Sequence, residues 1–301
     1  MRADATKSWW AAAAAMICFG FSMPGVGDAF AGDGLREPGP PAKRRPSEEK
    51  KAGSKSAGSK RASKSGAPSE AKGFVVGKSK RWKRCPRNTR SIGGKYCIDR
   101  YEAYVNIILS GGKLQRHSPF KPLDGKRNIK ALVKKGRMPQ AYISQQEAAA
   151  ACANAGKRLC TDAEWLGACK GKKPTTWPYG KTHEPGRCND RGVSSFNLVF
   201  GDGKPVPQSM YTYENLNDER LNKPKGTCAP AGRFKKCRNS YKVYDMVGNL
   251  HEWTSAPGGT FRGGYYLDVH EHGDGCDYVT TAHSPKYHDY STGFRCCADL
   301  R

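Results

Sequence analysis

The sequence predicts an α+β domain with few regular elements, long loops and a framework of disulfides. Two observations lead to this fold class. The chain of 301 residues contains 35 glycines and 19 prolines, and its apolar runs are short. It also contains twelve cysteines, which can cross-link a domain whose core is too small to stabilise it alone.

Residues 1–31 are typical of a secretory signal peptide. Arg2 and Lys7 precede an apolar run from Trp9 to Phe21, and Ala29-Phe30-Ala31 supplies the small-x-small pattern found before a cleavage site. The run is too short to span a bilayer, and no later stretch approaches about eighteen apolar residues. We therefore expect an exported protein, periplasmic or extracellular, whose mature chain has no transmembrane segment.

Residues 32–84 are predicted to form a basic linker. They hold sixteen Lys or Arg against five Asp or Glu, in a chain of formal net charge +25. Their Gly, Ser, Ala, Pro and Lys content buries too little apolar surface to offset the entropy of ordering, so we expect disorder. The linker either holds the protein to anionic envelope polymers or glycans, or is a solubilising tether. Nucleic acid is not an expected partner, because the chain is exported and has no recognised nucleic-acid fold.

The ordered domain is expected to occupy residues 85–301. At its start, Cys85 and Cys97 lie twelve residues apart around Gly93-Gly94, which favours a hairpin closed by a Cys85–Cys97 disulfide. A second basic segment, residues 113–137, holds nine Lys or Arg and a single acid. It is either an arm that binds anionic polymers or acidic glycans through salt-sensitive contacts, or a solvated surface loop.

Two short helices are predicted from their start signals. Ser144-Gln-Gln-Glu147 and Thr161-Asp-Ala-Glu164 are capping boxes, in which the first and last side chains satisfy free backbone amides. Gly156 and Gly171 are the expected stops.

The cysteines indicate disulfides and not zinc. Cys18 leaves with the signal peptide, so eleven cysteines remain and at least one has no intrachain partner. Disulfides are the normal state of cysteines in an exported chain. No C-x-x-C pair occurs, and the adjacent Cys296 and Cys297 suit neither a four-ligand zinc site nor a bond to each other.

Four segments carry a resemblance to a known family. They are AGKRLCTDAEW (155–165), YDMVGNLHEW (244–253), FRGGYY (261–266) and TGFRCC (292–297). In this order and spacing they resemble the formylglycine-generating enzyme, or sulfatase-modifying factor, family. The likeness covers roughly residues 85–301 and implies that family's variant of the C-type lectin fold, which has little regular secondary structure.

The resemblance also implies disulfide partners. It pairs Cys152 with Cys296, and Cys169 with Cys276. The additional Cys160 and Cys297 each adjoin a motif core and can form a third bridge, Cys160–Cys297. For the last three cysteines we prefer Cys188–Cys237, which leaves Cys228 unpaired.

A structural calcium is implied for the YDMVGNLHEW segment. Its ligands would be the carboxylates of Asp245 and Glu252 and the carbonyls of Gly248 and Leu250, hard oxygens of the kind calcium prefers. Asn189 falls where a ligand of the family's second calcium would lie. Alternatively, the two carboxylates cap turns and pair with arginines. His251 is expected to pack or to hydrogen-bond instead of binding metal.

The founding chemistry of this family is the oxidation of a substrate cysteine by oxygen and a copper ion held by two thiolates, the soft ligands that Cu(I) requires. In GGYYLDVHEHGDGC (263–276) these cysteines would fall at Asp268 and within residues 272–275, and neither is a cysteine. Cys276 matches the structural cysteine better. We therefore expect a binding module or diverged relative without the cysteine-oxidising activity.

The alternative is a metal-dependent oxidase that uses non-haem iron or copper. Residues two apart on a strand share a face, so Asp268, His270 and His272 could form the His/His/carboxylate set that binds Fe(II). The following HGDG favours a turn over a strand, and polar clusters on loops are usually solvated.

Overall fold

The computed structural model describes residues 81–281 and 283–300. The predicted signal peptide and the linker up to residue 80 lie outside the described residues. No helix in the described part is long and apolar enough to cross a membrane. The elements are short and separated by long loops, which confirms the predicted α+β class.

The strands are β1 (Thr89–Ile92), β2 (Tyr96–Asp99), β3 (Tyr104–Ile108), β4 (Leu114–Arg116), β5 (Ile129–Leu132), β6 (Arg158–Leu159), β7 (His251–Trp253), β8 (Phe261–Arg262), β9 (Val279–Thr280), β10 (Thr292–Phe294) and β11 (Cys296–Asp299). The α-helices are α1 (Gln145–Asn154), α2 (Asp162–Lys170), α3 (Ser195–Phe200) and α4 (Tyr213–Leu216).

The first sheet joins the two ends of the domain, in the order β1-β2-β11-β6. Strands β1 and β2 form the predicted hairpin, and Gly93 and Gly94 take the left-handed conformation (φ 56° and 74°) that its tight turn requires. Strand β11 pairs antiparallel with β2. Trp82 bridges Leu300 in parallel, so the first and last described segments lie side by side.

The second sheet, in the order β10-β7-β8-β9, collects three of the four motif segments. Strands β7 and β10 pair in parallel, with Glu252 opposite Gly293. Gly293 has no room for a side chain, because an added Cβ would lie 2.9 Å from Cδ1 of Leu250. This close pairing brings Arg295, just beyond β10, to the carboxylate of Glu252.

The basic segment 113–137 is part of the third sheet, in the order β4-β3-β5. It contributes β4 and β5, and its Leu123, Ile129 and Ala131 are buried. The segment is therefore neither a free arm nor a simple loop. It is anchored by its apolar residues, while most of its cations remain at the surface.

Both predicted helix starts are confirmed. Ser144 caps α1 and Thr161 caps α2, each with a complete capping box. The glycines after the two helices, Gly156 and Gly171, have positive φ angles of 70° and 77° and end the helices as expected.

Five disulfides cross-link the described part of the chain. They join the cysteine pairs expected from the sequence: Cys85–Cys97, Cys152–Cys296, Cys160–Cys297, Cys169–Cys276 and Cys188–Cys237. Cys228 is free and buried. A framework of this density fits a protein of an oxidising compartment.

Candidate functional site

The segment 263–276 leaves β8 and folds into turns. Oδ1 of Asp268 accepts hydrogen bonds from the backbone amides of His270 (2.8 Å) and Glu271 (3.0 Å). The amide of Gly273 donates to the carbonyl of His270 at 3.1 Å. Because the segment is turned and not extended, His270 and His272 do not share a strand face.

The two histidines have different neighbours. Nδ1 of His270 lies 2.7 Å from Oδ1 of Asp274, and its ring lies 4.7 Å from that of His183. The His272 ring instead packs edge-on against Tyr278 at 5.5 Å. Within residues 81–281 and 283–300, no group of three or more His, Cys, Asp or Glu side chains could hold a metal ion. The structure thus does not bring Asp268, His270 and His272 together as a ligand set.

His183 is a member of this region that sequence reasoning missed. Its ring stacks on Trp177 at 4.2 Å, and its Nε2 lies 2.9 Å from Oδ2 of the buried Asp190. No local pattern connects residues 177–190 with residues 268–274. Their contact follows from the Cys169–Cys276 bridge, which places the two loops together.

The region has no pair of thiols. Cys276 is bonded to Cys169, and residue 268, where the resemblance implies the first copper cysteine, is an aspartate. The one reduced cysteine among the described residues is Cys228, which is 8% exposed. Burial raises the pKa of its thiol well above the usual range, and the Glu102 and Asp245 carboxylates raise it further. A single protonated, buried thiol cannot supply two thiolates to copper.

The YDMVGNLHEW loop is organised around a buried ion pair. The guanidinium of Arg295, which is fully buried, donates to both carboxylate oxygens of Glu252. The indole of Trp165 donates to the same carboxylate at 2.6 Å. Arg295 also donates to the carbonyls of Asp99 (3.0 Å) and Tyr244 (2.9 Å), so it joins three segments of the fold.

Two more buried carboxyl groups lie near this pair. Oδ2 of Asp245 accepts from the Gly232 amide at 2.5 Å, and Oε2 of Glu102 accepts from Asn249 at 2.6 Å. Burial raises the pKa of Asp245 to about 7. Burial, followed by the Asp245 and Glu252 carboxylates, raises the pKa of Glu102 well above its usual range. Arg295 is therefore the shared countercharge of Glu252, Glu102 and Asp245. The raised pKa values of Glu102 and Asp245 favour their protonated forms, which limits the negative charge of the cluster.

The calcium prediction can be tested against these contacts. Asn189 clamps the loop through its Nδ2 atom, which donates to Asn249 (2.8 Å) and to the carbonyl of Thr227 (3.0 Å). Both oxygens of Glu252 are already occupied by Arg295 and Trp165. The described side chains do not fit a calcium ion at Glu252 while the guanidinium is in place, because the two cations would compete for one carboxylate. Calcium at Asp245, Gly248, Leu250 and Glu252, and at Asn189, stays a prediction of the resemblance.

His251 is buried in an aromatic setting. Its ring lies 4.5 Å from that of Phe261, 5.0 Å from Tyr265 and 5.4 Å from Tyr278. Burial, with a smaller contribution from His283 and His272, lowers the pKa of His251 to about 3. The imidazole is therefore neutral in the folded protein at neutral pH.

We expect His251→Phe to reduce the loss of stability in mild acid. The unfolded chain takes up a proton at His251 below its ordinary pKa of about 6.5, while the folded chain does not until about pH 3. This stabilisation is fully present above pH 6.5 and is lost as pH falls toward 3. The loss of stability from this group between pH 7.5 and pH 5 amounts to about 2 kcal/mol.

The measurement is urea unfolding of both proteins at the two pH values. Other titrating groups are common to both and cancel in the difference between the two pH changes. Equal pH changes in wild type and variant would contradict a buried, neutral His251. Phe196→Leu, a buried substitution that removes no titrating group, is the control and should leave the pH change unaltered.

Comparison with known proteins supports the sequence resemblance. Residues 71–300 match the model of the sulfatase-modifying factor enzyme 1-like domain. Formylglycine-generating enzyme of Mycobacterium tuberculosis is 30% identical over 193 residues, which cover 54% of this chain and 57% of that protein. Inactive C-alpha-formylglycine-generating enzyme 2 of Mus musculus is 27% identical over 175 residues, 54% of this chain and 49% of its own length.

A third relative shows a shorter match. Formylglycine-generating enzyme of Mus musculus is 30% identical over 126 residues, 42% of this chain and 29% of that protein. The chain thus spans between about a third and just over half of the length of these relatives. The match to the domain model covers most of the chain, and the four motif segments lie within it. The chain belongs to the sulfatase-modifying factor enzyme 1-like domain family.

Proposed function

We propose that this protein is an exported binding module for anionic polymers of the cell envelope, and that it does not oxidise cysteine. The observation that carries the proposal is the state of the cysteines, which argues against cysteine oxidation. Of the described cysteines, ten form disulfides and the remaining one, Cys228, is buried. The family also includes a relative named as an inactive formylglycine-generating enzyme, so the fold occurs without that activity.

The charge distribution supports an anionic ligand. The chain carries a formal charge of +25, and the predicted linker and the segment 113–137 are both strongly basic. A cavity of about 230 Å³ on that segment is lined by Arg116, His117 and Arg137. Nε of Arg137 is buried without a hydrogen-bond partner among the described residues. A buried donor of this kind gains free energy when an anion satisfies it.

The absence of oxidase activity is tested with a sulfatase-motif peptide that contains the target cysteine. Purified protein is incubated with the peptide, Cu(I), a thiol reductant and oxygen, and formylglycine is followed by mass spectrometry. We expect no conversion, while the Mycobacterium tuberculosis relative serves as the positive control. Conversion by this protein would overturn the proposal, as would stoichiometric iron or copper that is lost in His270→Ala.

The binding activity is tested with immobilised alginate and dextran sulfate. We expect retention at low ionic strength and release as salt rises, because exposed charges are screened over about 8–10 Å at physiological salt. Neutral dextran is the control and should retain nothing. No retention on either anionic polymer would contradict the binding activity.

A further inference from the structure

A second basic surface, which was not identified from the sequence, lies at the end of α2. It is a groove of about 520 Å³, and seven of its thirteen lining residues are lysine or arginine. None of the lining residues is acidic. We call it the cationic groove, and its basic residues are Lys170, Lys172, Lys173, Arg187, Lys235, Lys236 and Arg238.

Most of this charge is not neutralised within the protein. Lys170 pairs with Asp277 at 2.6 Å, and Arg187 pairs with Glu184 at 2.5 Å. Among the described residues, none of the other five cations has a carboxylate within 4.0 Å. Like charges held this close repel one another and destabilise the fold, and a bound anion relieves that repulsion.

The groove is held open by covalent and hydrogen-bonded links. The Cys188–Cys237 disulfide joins the neighbours of Arg187 and of Lys236, and Cys169–Cys276 holds the end of α2 next to Lys170. These bridges connect parts of the chain that are 49 and 107 residues apart in sequence. The cations are therefore presented on a preorganised backbone, which lowers the entropy cost of binding.

Side-chain-to-backbone hydrogen bonds join the end of α2 to residues 239–240 at the base of the groove. Nδ2 of Asn239 donates to the carbonyl of Ala168 at 2.6 Å, and the amide of Lys172 donates to Oγ of Ser240 at 2.8 Å. Gly171, with φ of 77°, lies at this junction, and an added Cβ would be 2.8 Å from Oγ of Ser240. The close approach explains why glycine ends α2 here.

The lining restricts the class of ligand. Tyr179 is the one aromatic residue in the lining, and the Arg187 guanidinium lies over its ring at 4.5 Å, so the groove lacks the series of open rings on which nucleic-acid bases stack. None of the large exposed apolar side chains of the described residues lines the groove, so it lacks the apolar contacts that membrane insertion requires. Its volume is within the roughly 300–1,000 Å³ of small-ligand sites, which suits a short chain segment better than a protein surface.

We propose that the cationic groove binds a segment of an acidic polysaccharide through its carboxylate or sulfate groups. This inference rests on the proposed binding function and assigns it a site. The two arginines are suited to planar oxyanions through paired N–H donors, and the lysines supply mobile point charges along the chain. Several charges spread along one groove match a ligand with repeated charges better than a single ion.

The test compares two triple variants of the full-length protein that have the same net charge. Lys173→Gln/Lys235→Gln/Lys236→Gln removes three of the seven groove charges, at exposed side chains that have no ion pair in the described part. Lys113→Gln/Arg116→Gln/Lys134→Gln removes the same charge from the segment 113–137, at residues that are also exposed. Alginate oligosaccharides probe carboxylates and dextran sulfate oligosaccharides probe sulfates, each by calorimetry at two salt concentrations.

We expect the groove variant to weaken the dissociation constant about tenfold or more for at least one probe, and to reduce its salt dependence. The segment variant should change the constant by less. A groove variant that binds like wild type overturns the inference. If the segment variant alone loses affinity, the groove inference fails while the proposed function stands. If wild type binds neither probe, both fail.

The last measurement is the binding of wild type and both variants to phosphatidylglycerol vesicles. We expect vesicle binding to respond equally to the groove and segment variants, since a concave site does not fit a flat surface and only the general attraction of positive charge acts there. Groove-dependent vesicle binding without oligosaccharide binding would overturn the assignment to polysaccharide in favour of lipid phosphates.

Discussion

Replacing Arg295 with methionine is expected to lower the free energy of unfolding by about 3–5 kcal/mol, because it removes one partner of a fully buried ion pair. Arg295 and Glu252 have side chains that are 0% and 1% exposed. Without the guanidinium, Glu252 remains buried close to Glu102 and Asp245 with no cation beside it. The three segments that Arg295 joins through the Asp99 and Tyr244 carbonyls would also lose their common donor.

Two further variants make this prediction specific. In Arg295→Met/Glu252→Gln the uncompensated charge is gone, so the double variant should be more stable than Arg295→Met alone. Arg220→Gln breaks an exposed pair with Asp218 and should cost no more than about 1 kcal/mol. Guanidinium unfolding measures all three. An Arg295→Met protein within 1 kcal/mol of wild type would contradict the structural role given to this pair.

The second large effect concerns two overlapping disulfides, Cys152–Cys296 and Cys160–Cys297. Removing Cys152–Cys296 alone is expected to cost about 3 kcal/mol, although the bridge spans 144 residues. The adjacent Cys160–Cys297 bridge already closes nearly the same loop. Cys160 lies eight positions after Cys152, and Cys296 and Cys297 are neighbours. The additional loop that Cys152–Cys296 closes in the unfolded chain is therefore only about ten residues long.

The full series of variants separates this model from one in which the bridges act independently. Cysteine-to-alanine pairs are made for each bridge and for both, with Cys85–Cys97 as a control of similar loop length, 12 residues. We expect about 3 kcal/mol for each single removal and about 6 kcal/mol for both, because the retained Cys169–Cys276 bridge shortens the loop that the second bridge closes to about 30 residues. Two independent long loops would give about 10 kcal/mol. A cost near 5 kcal/mol for one bridge alone would refute the model in which the two bridges close overlapping loops.

Local signals predicted the local structure well. A capping box depends only on side chains three residues apart, so Ser144 and Thr161 identified both helix starts without any tertiary information. Gly93-Gly94 identified a hairpin for the same reason. The segment 113–137 was harder, because its charge is evident in the sequence, whereas its two strands need β3 as a partner to form.

The candidate site shows where sequence reasoning ends. The absence of the two copper-binding cysteines can be read from the residues at the motif positions, so the sequence was sufficient to predict it. The sequence allows arginines to pair with Asp245 and Glu252, but the parallel pairing of β7 with β10 decides that Arg295 pairs with Glu252. Arg295 lies 43 residues from Glu252, and no local pattern relates them.

The sequence alone determined the fold class, the family, the two helix starts and the absence of a thiolate pair, since each rests on residue identity at short spacing. Only the tertiary structure decided that Arg295 takes the Glu252 carboxylate, that His270 meets His183 and not His272, and that residues 170–173 and 235–238 face each other across a groove. These contacts join residues far apart in the chain. Their partners are chosen by packing and disulfide geometry, which no local pattern of residues encodes.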